Sequence, residues 1–257
     1  MLPRWTIPVL CLTAASVAAA QPAADDAQAR HTGTVWLGLM TDWALSERWG
    51  LWFDTHDNAR AFFVLRGGVT HRFRVGADHK PAPSVTLGYA HLWTDPGSGR
   101  RERHEHRPWG QVVFPYAIAK HWRFSQRLRY DLRLRQRVED GAVTDGFSAI
   151  HRTRYQTVLS YDVGTIPFGT LFLQLANEVL IHLGQGAPPN QLDQDRISAL
   201  LGLRMANVTL RLGYMDRYLP KSGSRAALHE HSVVLWWNQR FPFRRRPSAT
   251  LPEASNP

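Results

Sequence analysis

Arginine is the residue type in this chain best placed to do chemistry, and its spacing says what kind. From His121 to Arg137 the chain reads HWRFSQRLRYDLRLRQR. Arg123, Arg127, Arg129, Arg133 and Arg135 share one parity with Ser125 and Asp131, while Trp122, Phe124, Leu128, Tyr130, Leu132 and Leu134 share the other. Successive strand residues point to opposite faces, so a β-strand here carries one apolar wall and one cationic wall. A helix would scatter the arginines and leave no apolar stripe. A guanidinium stays charged and forks onto carboxylates or phosphates, so such a wall can hold anions or pair with acids in a polar core.

The same alternation recurs with Arg152 and Arg154, with Arg196, and with Arg211, and it extends to Arg66, Arg72, Arg204 and Arg217. Asp131 and Glu178 are the acidic partners expected on the arginine face, with Asp54, Asp162 and Glu230 beside them. Two outcomes stay open: a framework of ion pairs, or a lining that attracts anions as basic rings do in anion channels. Other chemistry is poorly supported. Ser232 lies between His229 and His231, but neighbours along a strand face opposite ways and cannot form a dyad. There is no G-x-S-x-G and no H-E-x-x-H. His104 and His106 beside His91 read as a solvated charged loop rather than a metal site, which would need a third ligand in fixed geometry. No enzyme activity, cofactor or metal is expected.

The first twenty residues are of another kind. Arg4, an apolar run from Trp5 to Val17 and Ala18-Ala19-Ala20 form a secretory signal peptide over 1–20. Cys11 is the only cysteine of the 257 residues, so the exported chain is expected to hold no disulfide. No later run of about 18 apolar residues could form a membrane helix. The net charge of +10 is almost all arginine, with lysine only at 80, 120 and 221. Such a charge raises nucleic-acid binding, but export and the placement of arginines inside strands argue against it.

Segment 21–32 is polar and expected to be flexible. Alternating strands are expected at Gly33–Trp43, Trp49–His56, Ala61–Arg74, Ser84–Trp93, Trp109–Tyr116 and His121–Arg137. Five more are expected at Ile150–Asp162, Gly169–His182, Arg196–Met205, Val208–Tyr218 and His229–Phe241. Long loops are expected after His56 and at 94–106, 139–147, 184–194 and 219–226, interleaved with short turns. The basic tail 244–257 is expected to be disordered. Long strands, apolar-polar alternation and alternating loop lengths are the pattern of an antiparallel transmembrane β-barrel, here over 33–243. Trp43, Trp49, Trp93, Trp109 and Trp122 fall at strand ends, where an aromatic girdle would meet the lipid interface. Eleven segments conflict with the even strand numbers usual in bacterial barrels, so the expectation is about 10–12 strands, with twelve preferred. In a soluble sandwich or lipocalin-like barrel the same alternation would be inverted, with arginines facing water.

Several segments resemble an uncharacterised family of Gram-negative outer-membrane barrels, domain of unknown function 2490. They are Leu45-Ser46-Glu47-Arg48-Trp49, the entry His106-Arg107-Pro108-Trp109-Gly110-Gln111 and the strand Arg127-Leu128-Arg129-Tyr130-Asp131-Leu132-Arg133. Further matches are Arg152-Thr153-Arg154-Tyr155, Asn177-Glu178, Gln194-Asp195-Arg196 and Leu212-Gly213-Tyr214-Met215. The chain departs from the pattern at His106, where a glutamate is usual, and at Asp131, where a glutamate is common. The resemblance implies a barrel in the bacterial outer membrane and no assigned activity. The expectation is a monomer that meets lipid, lipopolysaccharide and the barrel-assembly machinery. Its favoured role is a narrow pore or binding barrel for small anionic solutes. The alternatives are a filled structural barrel acting through its loops and, behind that, an outer-membrane lipid hydrolase or protease.

Overall fold

A computed structural model describes residues 29–59, 61–73, 82–95, 97, 99–184, 191–220 and 227–243. The signal-peptide segment, most of 21–32 and the tail 244–257 lie outside the described residues. Eleven strands run in chain order: β1 Arg30–Ala44, β2 Trp49–Asn58, β3 Phe62–Arg72, β4 Ser84–Thr94, β5 Arg103–Ala117 and β6 Trp122–Glu139. They continue as β7 Ala142–Ile166, β8 Gly169–Leu183, β9 Leu192–Arg204, β10 Val208–Pro220 and β11 Ala227–Phe241. Each pairs with the next, and β1 pairs with β11 to close a barrel.

The closing pair settles the strand count. β1 and β11 run parallel, from Arg30 beside Leu228 to Trp43 beside Phe241, whereas every other pair is antiparallel. Eleven strands among the described residues fall within the expected 10–12, and the preference for twelve is corrected. An odd count closes because the first and last strands both run downward from one rim, called upper here. The upper rim carries the β2–β3, β4–β5, β6–β7, β8–β9 and β10–β11 connections. The lower rim carries 45–48, 73–83, 118–121, 167–168 and 205–207.

Several strands outrun their expected ends, some of them through polar sequence at the upper rim. β1 starts at Arg30, inside the segment expected to be flexible, and β5 starts at Arg103, inside an expected loop. β6 and β7 continue through 139–147 to a tight turn in which Asp140 and Gly141 have φ of 52° and 80°. Positive φ at both central residues suits the right-handed twist of a two-residue hairpin, and Asp-Gly tolerates it. The β2–β3 link is also short, with Ala61 N–H donating to the Asn58 carbonyl at 3.2 Å. The strict interleaving of long loops with short turns therefore fails at two upper connections.

The alternation sets inside and outside. Leu87, Leu175, Ile197 and Leu201 face outward and are 67%, 59%, 59% and 53% exposed, while Asp54, Glu105, Asp131 and Arg152 are buried in the lumen. This is the reverse of a soluble barrel. Inside, small apolar clusters punctuate the polar lining: Trp36, Leu200, Met215 and Val234 on one wall, and Val64, Ala90, Leu92 and Trp109 on another. A narrow lumen holds such bulk only against small residues. A Cβ on Gly88 would lie 2.3 Å from the Gly67 carbonyl oxygen and 2.6 Å from the Trp109 ring, so glycine there makes room for the indole.

Candidate functional site

β6 supplies the longest row of lumen guanidiniums, and the register brings the acids to it from neighbouring strands. Asp131, fully buried, is the hub. Its Oδ1 accepts from Arg129 Nε at 2.9 Å, and its Oδ2 accepts from Arg154 Nε at 2.6 Å and Arg152 Nη2 at 3.0 Å. Asp131 lies opposite Arg152 on β7, which gives the pairing its geometry. A second hub, Glu105 on β5, takes Arg107 and Arg133 at 2.6 Å each and Arg135 at 3.3 Å. Glu178 on β8 takes Arg127 at 2.6 Å and Arg196 at 2.9 Å, with Arg154 at 4.0 Å.

Asp193 joins the two hubs, at 2.7 Å from Arg152 and 3.5 Å from Arg133. Strict alternation would point it outward. The β8–β9 register slips there, pairing Leu180 with Gln194 and Ile181 with Leu192, so Asp193 is the extra residue of a bulge. A bulge re-aims a side chain, here into the lumen. Asp54–Arg66 at 2.6 Å and Glu230–Arg217 at 2.5 Å complete the network. Near the lower rim, Asp162 holds Arg123 at 2.7 Å and Arg204 at 3.2 Å. Arg211 has neutral partners instead: Gln174 at 3.0 Å and the Asn238 side-chain oxygen.

Thus Arg123, Arg127, Arg129, Arg133, Arg135, Arg152, Arg154, Arg196 and Arg211, picked from their spacing, lie together on the lumen side with Asp131 and Glu178. Sequence reasoning missed Glu105, Arg107 and Asp193 because their charged stretches read as loops. The parity of Glu105 and Arg107 with Trp109 was the available signal for two of them. Nothing in the sequence marks the bulge that turns Asp193.

The girdle divides. Trp43, Trp49 and Trp122 lie exposed at the lower rim, with Phe241 stacked on Trp43 at 3.9 Å, and Trp93 faces outward near the upper rim beside Phe63. Trp109 does not belong to it. It is 4% exposed and faces the lumen, where the Arg129 guanidinium sits 4.1 Å from its ring centroid. Its parity is that of Glu105 and Arg107, so placing it outside is corrected. His104 and His106 are also re-placed: they lie on β5, and His104 Nδ1 is 3.0 Å from Nε2 of His91 on β4, where a strand was expected. Among the described residues no group of three or more histidine, cysteine or acidic side chains could hold a metal ion. Ser232 is fully buried beside Glu230, while His229 and His231 bond Asp216 on the outer face.

Three cavities lie in series along the axis. A lower chamber of about 520 Å³ reaches from Asp42, Arg72 and Asn207 to Arg127 and Gln156. A middle chamber of about 410 Å³ shares Trp52, Arg127 and Gln156 with it and is also lined by Arg211, Arg66 and Arg196. A narrow upper chamber of about 110 Å³ shares Trp36, His56, Arg66, Arg154 and Arg196 with the middle one. The lumen is a funnel that tapers from the lower rim into the ion-pair network. The arrangement can draw an anion inward and hold it by guanidinium forks.

No curated protein matches the sequence. A solved chain described as "NanC porin structure in rhombohedral crystal form" is similar to it at 15% identity, covering 77% of this chain and 94% of that one with a TM-score of 0.45. The family model described as "Protein of unknown function (DUF2490)" matches residues 33–227, and the chain belongs to that family.

Proposed function

We propose that this chain is a bacterial outer-membrane barrel that takes small anionic solutes into its lumen from the lower rim. The observation that carries the reading is the tapering funnel, whose middle chamber presents Arg211, with no acid paired to it among the described residues, and Arg127 with one oxygen of Glu178. The outward apolar wall and the tryptophans at the lower rim support a lipid setting. In that setting the signal peptide 1–20 is removed on export, the lower rim faces the periplasm, and the upper connections face outward toward lipopolysaccharide. The chain inserts as a monomer with the help of the barrel-assembly machinery, and the barrel itself performs no catalysis.

Planar-bilayer measurements test the reading. The wild type should show small conductance with anion preference, and Arg211→Gln or Arg127→Gln should lower that preference at least threefold in permeability ratio. Cation preference in the wild type, or no change in either variant, would overturn it. A second reading has one observation behind it: the dense ion pairs of the upper half suit a filled structural barrel. A wild type that never conducts and binds no anion would favour that alternative.

A further inference from the structure

We propose that the upper chamber is a binding site for one compact tetrahedral oxyanion of the phosphate class, free or at the head of a small solute; this deepens the anion reading above and rests on it. The chamber's charge is one-sided. Arg66, Arg107, Arg133, Arg152, Arg154 and Arg196 line it together with Arg217, and among the described residues no carboxylate does.

The acids behind those arginines do not balance them. Asp54, Glu105, Asp131, Glu178, Asp193 and Glu230 are six carboxylates, and they are shared among ten arginines: 66, 107, 127, 129, 133, 135, 152, 154, 196 and 217. Among the described residues four positive charges are left over in this network, on side chains that are mostly buried. Buried charge is costly unless paired, so the cluster calls for an anion that is not part of the chain. Arg217 lines the chamber with a side chain 4% exposed, and its Nε has no hydrogen-bond partner among the described residues.

Size and shape select the class. One water needs about 10–15 Å³ of such space, and the chamber has about 110 Å³. That is room for about 7–11 waters, enough for a phosphoryl group with several of them. A tetrahedral oxyanion offers more acceptors than a carboxylate and can carry two charges, matching several converging forks. The far wall is apolar, built from Trp36, Phe62, Val64 and Leu92, and the Arg196 and Arg217 guanidiniums lie 5.3 Å from the Trp36 ring centroid. That wall keeps the guanidiniums desolvated and fixed. If the phosphoryl belongs to an ester, the rest of the solute lies in the adjoining middle chamber.

The experiment is calorimetric titration of the folded, detergent-solubilised full chain with inorganic phosphate and, separately, glycerol 3-phosphate, with sulfate and acetate as competitors. One saturable site per chain is expected, displaced by sulfate and not by equimolar acetate. Tighter binding of inorganic phosphate would identify the free ion as ligand, and tighter binding of the ester a phosphorylated solute. Arg217→Gln should weaken binding about tenfold or more, the scale of a lost charged hydrogen bond. Arg217→Lys should recover part of that loss, and Arg137→Gln, an equal charge change at an exposed site, should bind as the wild type does. The heat-dependent gel shift of a closed barrel checks folding, and Arg107→Gln replaces Arg217→Gln if the latter does not fold. Absence of a saturable site in the folded wild type, equal displacement by acetate, or equal weakening by Arg137→Gln would overturn the proposal. If binding fails while bilayer anion preference survives, only the upper-chamber site falls; if both fail, the anion reading falls with it.

Discussion

Asp131 has two oxygens and three guanidiniums to satisfy, and all four groups are shut inside the barrel. Removing its charge leaves buried Arg129 without a carboxylate and takes one from Arg152 and Arg154, so Asp131→Asn should lower unfolding free energy by about 3–5 kcal/mol, read from denaturant titration in micelles by tryptophan fluorescence. An unchanged midpoint would mean that water or an anion already carries that charge. Glu105 and Asp131 are coupled through Asp193, which grips one arginine of each hub. The double variant Glu105→Gln/Asp131→Asn should therefore depart from additivity by more than about 0.5 kcal/mol. The arginine side of this network was legible, because guanidiniums at every second position have few other places to go. Most of the acid side was legible: Asp54, Asp131, Asp162, Glu178 and Glu230 stand inside recognisable strands, whereas Glu105 sits in Arg-His-Glu-His-Arg, whose composition is that of a solvated loop. Trp109 misled for a related reason, since it opened the segment expected as a strand and so looked terminal.

At the scale of the element, strand ends were the hard part because the lumen reverses the usual meaning of polarity. A charged inward face and a histidine outward face make β5 polar on both sides near the upper rim, and periodicity then has no contrast to detect. The β6–β7 hairpin was legible in one respect not used: Asp140-Gly141 is a two-residue turn signal between alternating runs. The β3–β4 pair carries a tight element-level constraint. Gly88→Ala would push a methyl against the Gly67 carbonyl, which is backbone and cannot swing away, and against the Trp109 ring. The expected cost is about 1–3 kcal/mol or more, measured as a lowered midpoint of the heat-dependent gel shift. Adding Trp109→Leu should recover only part of it, since the carbonyl contact remains. Full recovery would place the whole strain in the indole.

For the molecule as a whole, the decisive legible property was which face is greasy, and it specified a barrel with an arginine interior before any coordinate was known. Leu175 and Ala176 show the consequence one residue apart, the first on the outer wall and the second lining the middle chamber. Leu175→Arg should cost about 2–4 kcal/mol in bilayers, while Ala176→Ser should change stability by less than about 1 kcal/mol; equal costs in lipid refolding would contradict the assignment of faces. What could not be read was the count, because strand parity depends on how the two ends meet. That meeting has a kinetic meaning. Ten of the eleven strand pairs join neighbours in sequence, and the parallel β1–β11 pair joins residues about 200 apart, as in the His31–His231 contact. Local hairpins form early and distant pairings late, so the seam is the last thing to assemble and two unpaired edges persist until it does. Cysteines placed at Leu37 and Leu235, partners across the seam on the outer wall, would give a clock for that event. Their crosslink should lag the growth of β-structure during refolding, and the interval is the time in which the protein is a curled sheet open to strand exchange.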